Sequence, residues 1–476
     1  PVTAMYQRAD GIVEFDPSIC IGCKSCMQAC PYDSIYLDPE TNTAAKCTFC
    51  AHRLDVGLEP ACVVVCPEHA ILAGDLNDPA SEISRKLSTA QATVRKPEQG
   101  TGPKLFYING NDWSLHPTAA SANDSFVWAD KITEQNTSTY ELPVFPASTK
   151  TSKSGTPLRS PGEQGRPMNG PIQIGGRVAE HMVQTAYNAQ HKIQWHWELP
   201  TYIVTKNIAG GLFMLLSLGA GLGAFPFDSL TFLVAGFTAM VFMLLTVILL
   251  IKDLSQPKRF LNILLRPQWK SWVARGAYIM VTFTAVAGLW WLLEGAAYLG
   301  WLPGELIAGI RPIAAWVVFP FALGVVIYTA FLLGQAEGRD MWQNSLLPFQ
   351  LSAQSMMVSS GIFLIVSLFF TFSTDLQNLL TVLFPASIAG NLLLTLAGRF
   401  NSFASEVALL AHREMTHGRF RNHYWWGGIT LGHLIPLVLF FVFSSFALPV
   451  TVACALVGLF FYEYAFVMAP QHIPNS

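Results

Sequence analysis

Cys20, Cys23, Cys26 and Cys30 stand in the spacing Cys-x2-Cys-x2-Cys-x3-Cys, with Pro31 directly after the last. Tight loops of this kind bring three thiolates to one iron-sulfur cube and send the fourth to a second cube. Cys47, Cys50, Cys62 and Cys66 repeat the pattern with an insertion, Cys-x2-Cys-x11-Cys-x3-Cys, and again end on a proline, Pro67. Paired Cys-x2-Cys units can also hold tetrahedral zinc, and eight cysteines can form disulfides. Neither alternative accounts for three closely spaced cysteines followed by Cys-Pro, so two cluster-binding loops carrying [4Fe-4S] groups are expected. Cys454, alone in a late apolar run, reads as a small buried hydrophobe.

The elements around these loops divide the chain in two. All but one of the nine cysteines precede residue 67, and from about residue 199 long apolar runs dominate. A net charge of -2 and the lack of a basic stripe give no footprint for nucleic acid. Cys30-Pro31-Tyr32 and Cys66-Pro67-Glu68 open similar seven-residue stretches, and Pro1-Val2-Thr3-Ala4-Met5-Tyr6 fits them from its proline onward. A cysteine is therefore expected before Pro1, in a longer chain with at least one further cysteine motif. Cys20, Cys23 and Cys26 would then take either Cys66 or that upstream cysteine as their fourth ligand.

The stretch Cys20 to Pro79, with Cys20-Ile21-Gly22-Cys23-Lys24-Ser25-Cys26, Lys46-Cys47-Thr48-Phe49-Cys50-Ala51-His52-Arg53 and Gly74-Asp75-Leu76-Asn77-Asp78-Pro79, resembles the four-cluster ferredoxin subunits of molybdenum oxidoreductases such as dimethyl-sulfoxide and polysulfide reductase. The resemblance implies four clusters in the full protein and a separate molybdopterin-type catalytic subunit. Residues 1-135 are read as the ferredoxin-type domain, Trp113, Phe126 and Trp128 included, and the Ser/Thr/Pro/Gly-rich 136-195 as an extended linker.

Runs near 199-223, 229-251, 272-295, 309-334, 346-372, 376-398, 424-446 and 448-468 are each long enough to cross a bilayer. An even count returns both ends of 196-476 to one side, so the cysteine-bearing region, three loops and the C-terminus share a face. That face gathers Lys252, Lys258, Arg259, Arg266, Lys270, Arg275, Arg339, Arg399, Arg413, Arg419 and Arg421, against Arg311 on the other. The positive-inside rule makes it cytoplasmic, in a bacterial or archaeal cytoplasmic membrane.

Polar residues inside spans default to functional hypotheses. Lys206, Asn207, Tyr278, Gln350, Gln354, Asn391, His433 and Glu463 all fall in the half of the bilayer next to the cluster-bearing face. Such a one-sided set suits a quinone headgroup, menaquinone or ubiquinone, whose oxygens need hydrogen-bond partners and whose chemistry needs a proton. Mutual satisfaction between helices is the competing explanation. Glu294, in the other half, reads as part of a proton path or as an interfacial residue. A bis-histidine haem would need a second intramembrane histidine facing His433, so haem is not expected.

From Trp195 onward the sequence resembles the NrfD and polysulfide-reductase type of membrane subunit, on Trp197-Glu198-Leu199-Pro200-Thr201-Tyr202, Lys252-Asp253-Leu254-Ser255-Gln256-Pro257-Lys258-Arg259-Phe260 and Tyr462-Glu463-Tyr464. The resemblance implies two four-helix bundles and a quinone site near the ferredoxin face involving Asn207 and His433. It also implies that Asp253 and Arg259 fix the loop that receives the ferredoxin domain. The expected fold is thus an α+β ferredoxin-like iron-sulfur domain followed by an all-α integral membrane domain of eight transmembrane helices. The expected function is electron transfer between membrane quinone and a catalytic subunit. The alternative is an ion-translocating or structural anchor whose clusters serve a soluble donor without a quinone site.

Overall fold

The computed structural model describes residues 1–111, 115, 193–400, 405–443 and 447–475. The linker expected over 136-195 lies outside the described residues as far as 192, as do Trp113, Phe126 and Trp128. The chain forms two compact units, Pro1–Lys46 together with Gln190–Ser476, and Cys47–Ala189.

In the first unit, β1 (Met5–Gln7) pairs antiparallel with β2 (Val13–Phe15), Met5 opposite Phe15. The five-residue helix α1 (Ser25–Ala29) follows, and then β3 (Ile35–Leu37), antiparallel to β4 (Ala44–Lys46) with Ile35 opposite Lys46. Strands this short bury little, and the small core of Val2, Ala4, Ile21 and Ala44 closes around the Cys20 side chain. In the second unit the short helices α2 (Ala51–Leu54) and α3 (Ala61–Val64) precede α4 (Glu82–Thr89), whose cap residue Ser81 accepts from the Ser84 amide. The strands β5 (Ala92–Thr93) and β6 (Tyr107–Ile108) pair antiparallel.

The rest of the first unit is helical. It comprises α5 (Glu198–Leu222), α6 (Ser229–Asp253), α7 (Asn262–Leu265), α8 (Trp272–Tyr298), α9 (Gly304–Gly334), α10 (Leu347–Val366), α11 (Thr374–Phe400) and α12 (Glu406–Thr416). A π-helical stretch, His423–Leu434, then runs into α13 (Ile435–Phe443), and α14 (Leu448–Gln471) ends the domain. Eight of these helical segments are long and apolar enough to span a bilayer. The chain is a multi-pass membrane protein, as the hydropathy of its runs indicates. Four segments, α5, α6, α8 and α9, pack as one group, and α10, α11, the π-α13 segment and α14 as another, with α5 also touching α10 and α14.

Some ends differ from the hydropathy reading. The fourth span starts at Gly304 rather than 309, because the polar Glu305 and Arg311 dilute its hydropathy without breaking the helix. The fifth stops at Val366, before 372, and the eighth runs on to Gln471. Arg311 explains Glu294 in the opposite half: its guanidinium grips both carboxylate oxygens at 2.8 and 3.0 Å.

Helices in lipid associate through close packing of small residues. The tightest crossing is Gly432 against Gly458, where a Cβ built on Gly458 would lie 2.1 Å from the Gly432 Cα. Gly458→Ala is expected to destabilise the π-α13 and α14 pair by about 1–3 kcal/mol through overpacking. A lowered melting temperature of the detergent-purified protein checks this, and an unchanged one would show that the crossing relaxes freely.

Candidate functional site

The first cysteine loop folds as its chemistry requires. Gly22 and Lys24 adopt left-handed backbone angles, φ +67° and +62°, which reverse the path of the loop between Cys20, Cys23 and Cys26. At Gly22 a side chain is also excluded by space, since a Cβ there would sit 2.6 Å from the Ser255 Cβ. The Ala44 amide points at the Cys20 sulfur at 3.5 Å. Burial, and then the neighbouring Cys23 and Cys20 thiols, push the Cys26 thiol well above its ordinary range. Such a group gives up its proton when a cation takes its place. Three thiols carried on one short turn are the kind of donor set from which a [4Fe-4S] cube takes its ligands, each at its own iron corner.

In the second unit Cys50 likewise sits at a left-handed turn, φ 51°, just before α2, while Cys62 lies within α3. The Phe49 amide donates to the Cys47 sulfur at 3.4 Å and the Ala70 amide to that of Cys66 at 3.2 Å. Backbone hydrogen bonds from Ile71 and Ala70 lower the Cys66 pKa. None of the nine cysteines forms a disulfide.

Within the first unit, residues 17–33 rest on the loops of the membrane domain. Ser255 and Gln256 donate their amides to the carbonyls of Gly22 and Ile21, each at 3.2 Å. The Trp195 indole donates to the Cys23 carbonyl at 3.2 Å, and Asn262 to that of Ile19 at 3.3 Å. Arg259 donates to the carbonyls of Pro17 and Cys20, and Lys24 pairs with Asp253 at 3.1 Å. Both Asp253 and Arg259 therefore touch the cysteine loop.

Arg339, one of the basic residues gathered on the cysteine-bearing face, is buried there, 3% exposed. It pairs with Asp33 at 3.6 Å and donates to Gln28 Oε1 at 3.0 Å and to the carbonyls of Pro470 and Ile473. Burial lowers its pKa while Asp33 and Cys30 oppose the shift. Gln28 in turn donates to Gln471, and the Asn475 amide caps Asp33 at 2.6 Å. Sequence reasoning missed Gln28, Asp33, Trp195, Gln471 and Asn475, none of which belongs to a spacing pattern.

Seven of the eight candidate intramembrane residues come together. Lys206 Nζ donates to Asn207 Oδ1 at 2.9 Å and to the Val326 carbonyl at 2.7 Å. Asn207 reaches Gln354 Oε1 at 3.5 Å, and Gln354 donates to Glu463 Oε1 at 2.7 Å. One helical turn away, Gln350 donates to Tyr462 at 2.6 Å and Thr395 at 3.2 Å. Asn391, one turn from Thr395, faces His433 Nε2 at 2.9 Å. His433 Nδ1 lies 2.8 Å from the Gly428 carbonyl, which can only accept, so Nδ1 carries the proton and Nε2 accepts from the Asn391 amide. Tyr278 stands apart, donating to the Leu264 carbonyl and lying against Trp269 with the rings tilted by 42°. Tyr462 and Thr395 were missed, although Tyr462 adjoins Glu463 and Thr395 follows Asn391 at helical spacing.

The network is buried throughout, yet Glu463 Oε2 and Asn391 Oδ1 have no partner. Two apolar pockets lie elsewhere, one walled by Phe225, Phe227 and Phe232 and one by Phe237, Phe369 and Phe370, and neither touches a network residue.

Removing the Arg339 guanidinium would leave Asp33 buried beside the cysteine loop without its cation, at a cost of about 3–5 kcal/mol. Arg339→Ala is expected to speed amide hydrogen exchange across residues 28–33 and 470–475. Unchanged protection there would mean that the other contacts suffice.

Comparison with known proteins gives a separate match for each half. A model of the 4Fe-4S dicluster domain matches residues 1–76, and one of polysulphide reductase, NrfD, matches residues 185–475. One tetrathionate reductase subunit, from Salmonella typhimurium, is 45% identical over 132 residues, covering 27% of this chain and 52% of that protein. One polysulfide reductase chain, from Wolinella succinogenes, is 45% identical over 109 residues, 23% of this chain and 57% of that one. Protein NrfC of Escherichia coli is 45% identical over 110 residues, 23% and 49% of the two chains. The chain spans about half the length of these curated relatives.

Proposed function

This chain is a member of the polysulphide reductase, NrfD, family and joins to it a 4Fe-4S electron-transfer domain, and from that premise we propose that it exchanges electrons between membrane quinone and a catalytic partner subunit of molybdopterin type. The expected setting is the cytoplasmic membrane of a bacterium or archaeon, with the cysteine-bearing face in the cytoplasm. The observation that carries the quinone reading is the pair of buried acceptor oxygens without donors, Glu463 Oε2 and Asn391 Oδ1. Leaving such an acceptor unpaired costs about 1–3 kcal/mol, and the hydroxyl groups of a quinol are donors of the kind both need.

In this reading Glu463 is the proton-exchanging group. Quinol oxidation releases two electrons, which pass to the clusters, and two protons: Glu463 Oε2 accepts the first as a hydroxyl gives it up and, once it has passed that proton on to solvent, accepts the second. When electrons run the other way, Glu463 returns them. Gln354 holds the other carboxylate oxygen, and Lys206, linked through Asn207 and Gln354, supplies the countercharge that keeps a carboxylate tolerable in lipid. His433, with its tautomer set by Gly428, turns the Asn391 amide so that Oδ1 is left for the ligand. The clusters, when bound, carry the electrons one at a time.

Glu463→Gln keeps the shape and the bond from Gln354 but cannot take a proton. Loss of a well-placed acid-base group slows the reaction by about 10²–10⁴. Cluster reduction by a reduced menaquinone analogue, followed in the purified complex by electron paramagnetic resonance, should slow accordingly with iron content unchanged. Full rates in this variant and in His433→Leu would leave the membrane half as an anchor without a quinone site.

A further inference from the structure

Three cations of the first unit meet the first cysteine loop, and their charges are treated differently. Lys24 is paired with Asp253 at 3.1 Å and Arg339 with Asp33 at 3.6 Å, so each is neutralised where it stands. Arg259 has no such partner among the described residues. Its guanidinium donates through one nitrogen to two backbone carbonyls, those of Pro17 and of Cys20, the latter at 3.1 Å. Cys20 is itself a predicted cluster ligand, in the set whose spacing fits a cube. A full positive charge is thus held a few bonds from a ligand sulfur, on a residue of the membrane half.

We propose that Arg259 sets the reduction potential of the cluster held by Cys20, Cys23 and Cys26, raising it when this loop is seated on the membrane domain. An iron-sulfur cluster gains negative charge on taking an electron, and its potential follows the net charge and hydrogen bonding around it. A nearby uncompensated cation stabilises the reduced form more than the oxidised one. Because Arg259 is only part-buried, solvent screens its field, and the expected effect is about a tenfold change in the reduced-to-oxidised ratio at fixed potential, which is 59 mV for one electron. The loop would then accept electrons best in its seated position. This inference concerns the cluster alone and stands or falls independently of the quinone reading.

The test is a redox titration of the intact cluster-loaded complex, monitored by electron paramagnetic resonance. Arg259→Gln, which keeps a donor but removes the charge, should lower one midpoint by the tenfold equivalent with iron content and line shape unchanged. Arg259→Lys should restore it. Asn262→Leu, which removes the neutral donor to Ile19 on the same surface, should leave it in place. An unchanged midpoint in Arg259→Gln overturns the proposal. So does an equal fall in Arg259→Lys and Asn262→Leu, which would trace the effect to the fit of the loop and not to charge. If Arg259→Gln does not assemble, Asn262→Asp places a carboxylate near Arg259 on the same surface, and the same lowering is expected, with no change counting against the field.

Discussion

A loop that wraps a cluster turns its carbonyl groups outward, and each needs a donor once water is excluded. In this protein the need is met largely by the membrane domain. The carbonyls of Pro17, Ile19, Cys20, Ile21, Gly22 and Cys23 all accept from residues between Trp195 and Asn262. Much else follows from that seat. Gly22 has to be glycine because Ser255 fills the space of a side chain, and Lys24 and Asp33 can be charged because Asp253 and Arg339 await them. The last residues of α14 and the tail after it are drawn in as well, through Gln471, Ile473 and Asn475.

Deeper in the bilayer the same accounting applies with less tolerance, since no water is on hand to repair an unmet group. Lys206, Asn207, Gln354 and Glu463 answer one another in sequence, and this continuity is what lets a lysine in α5 and a glutamate in α14 persist with at most 1% exposure. The series of partners stops short at Glu463 Oε2, and the second shortfall is Asn391 Oδ1. Ser217 Oγ and His423 Nδ1 are likewise buried without a partner, but only the two carbonyl-type oxygens belong to this set of intramembrane side chains.

Much of this was legible in the sequence because it is local. Cysteine spacing fixes a loop around a cube, and twenty apolar residues fix a span, so both motifs and the eight helices could be read without a structure. The intramembrane candidates were also legible, since polarity in lipid is conspicuous by itself. What escaped was pairing between distant segments. Arg339 looked like one more basic residue of the cysteine-bearing face, and only the fold brings Asp33, far earlier in the chain, against it. Tyr278 looked like its polar companions, but the side chain leaves the helix on another face and serves the short helix α7. The π-helical stretch gave no signal either, because hydropathy does not register how many residues make a turn, and the close approach of Gly432 to Gly458 exists only in the fold.

The seat of the first cysteine loop has a further consequence. Donors on the membrane side grip main-chain oxygens, which every amino acid carries, so recognition there reads the path of the loop and is nearly blind to its side chains. An exposed position such as Ser18 can drift to other residues without loosening the grip, provided that the turns at Gly22 and Lys24 hold their shape and that Ile21 keeps its place in the small core around Cys20. The burden of identity falls instead on Ser255, Arg259, Asn262 and Trp195, whose own side chains or tight fit do the holding. Substitution should accordingly be accepted unequally on the two sides of one surface: permissive on the side that binds the metal cluster, apart from its cysteines, turns and core, and strict on the side that belongs to the membrane domain.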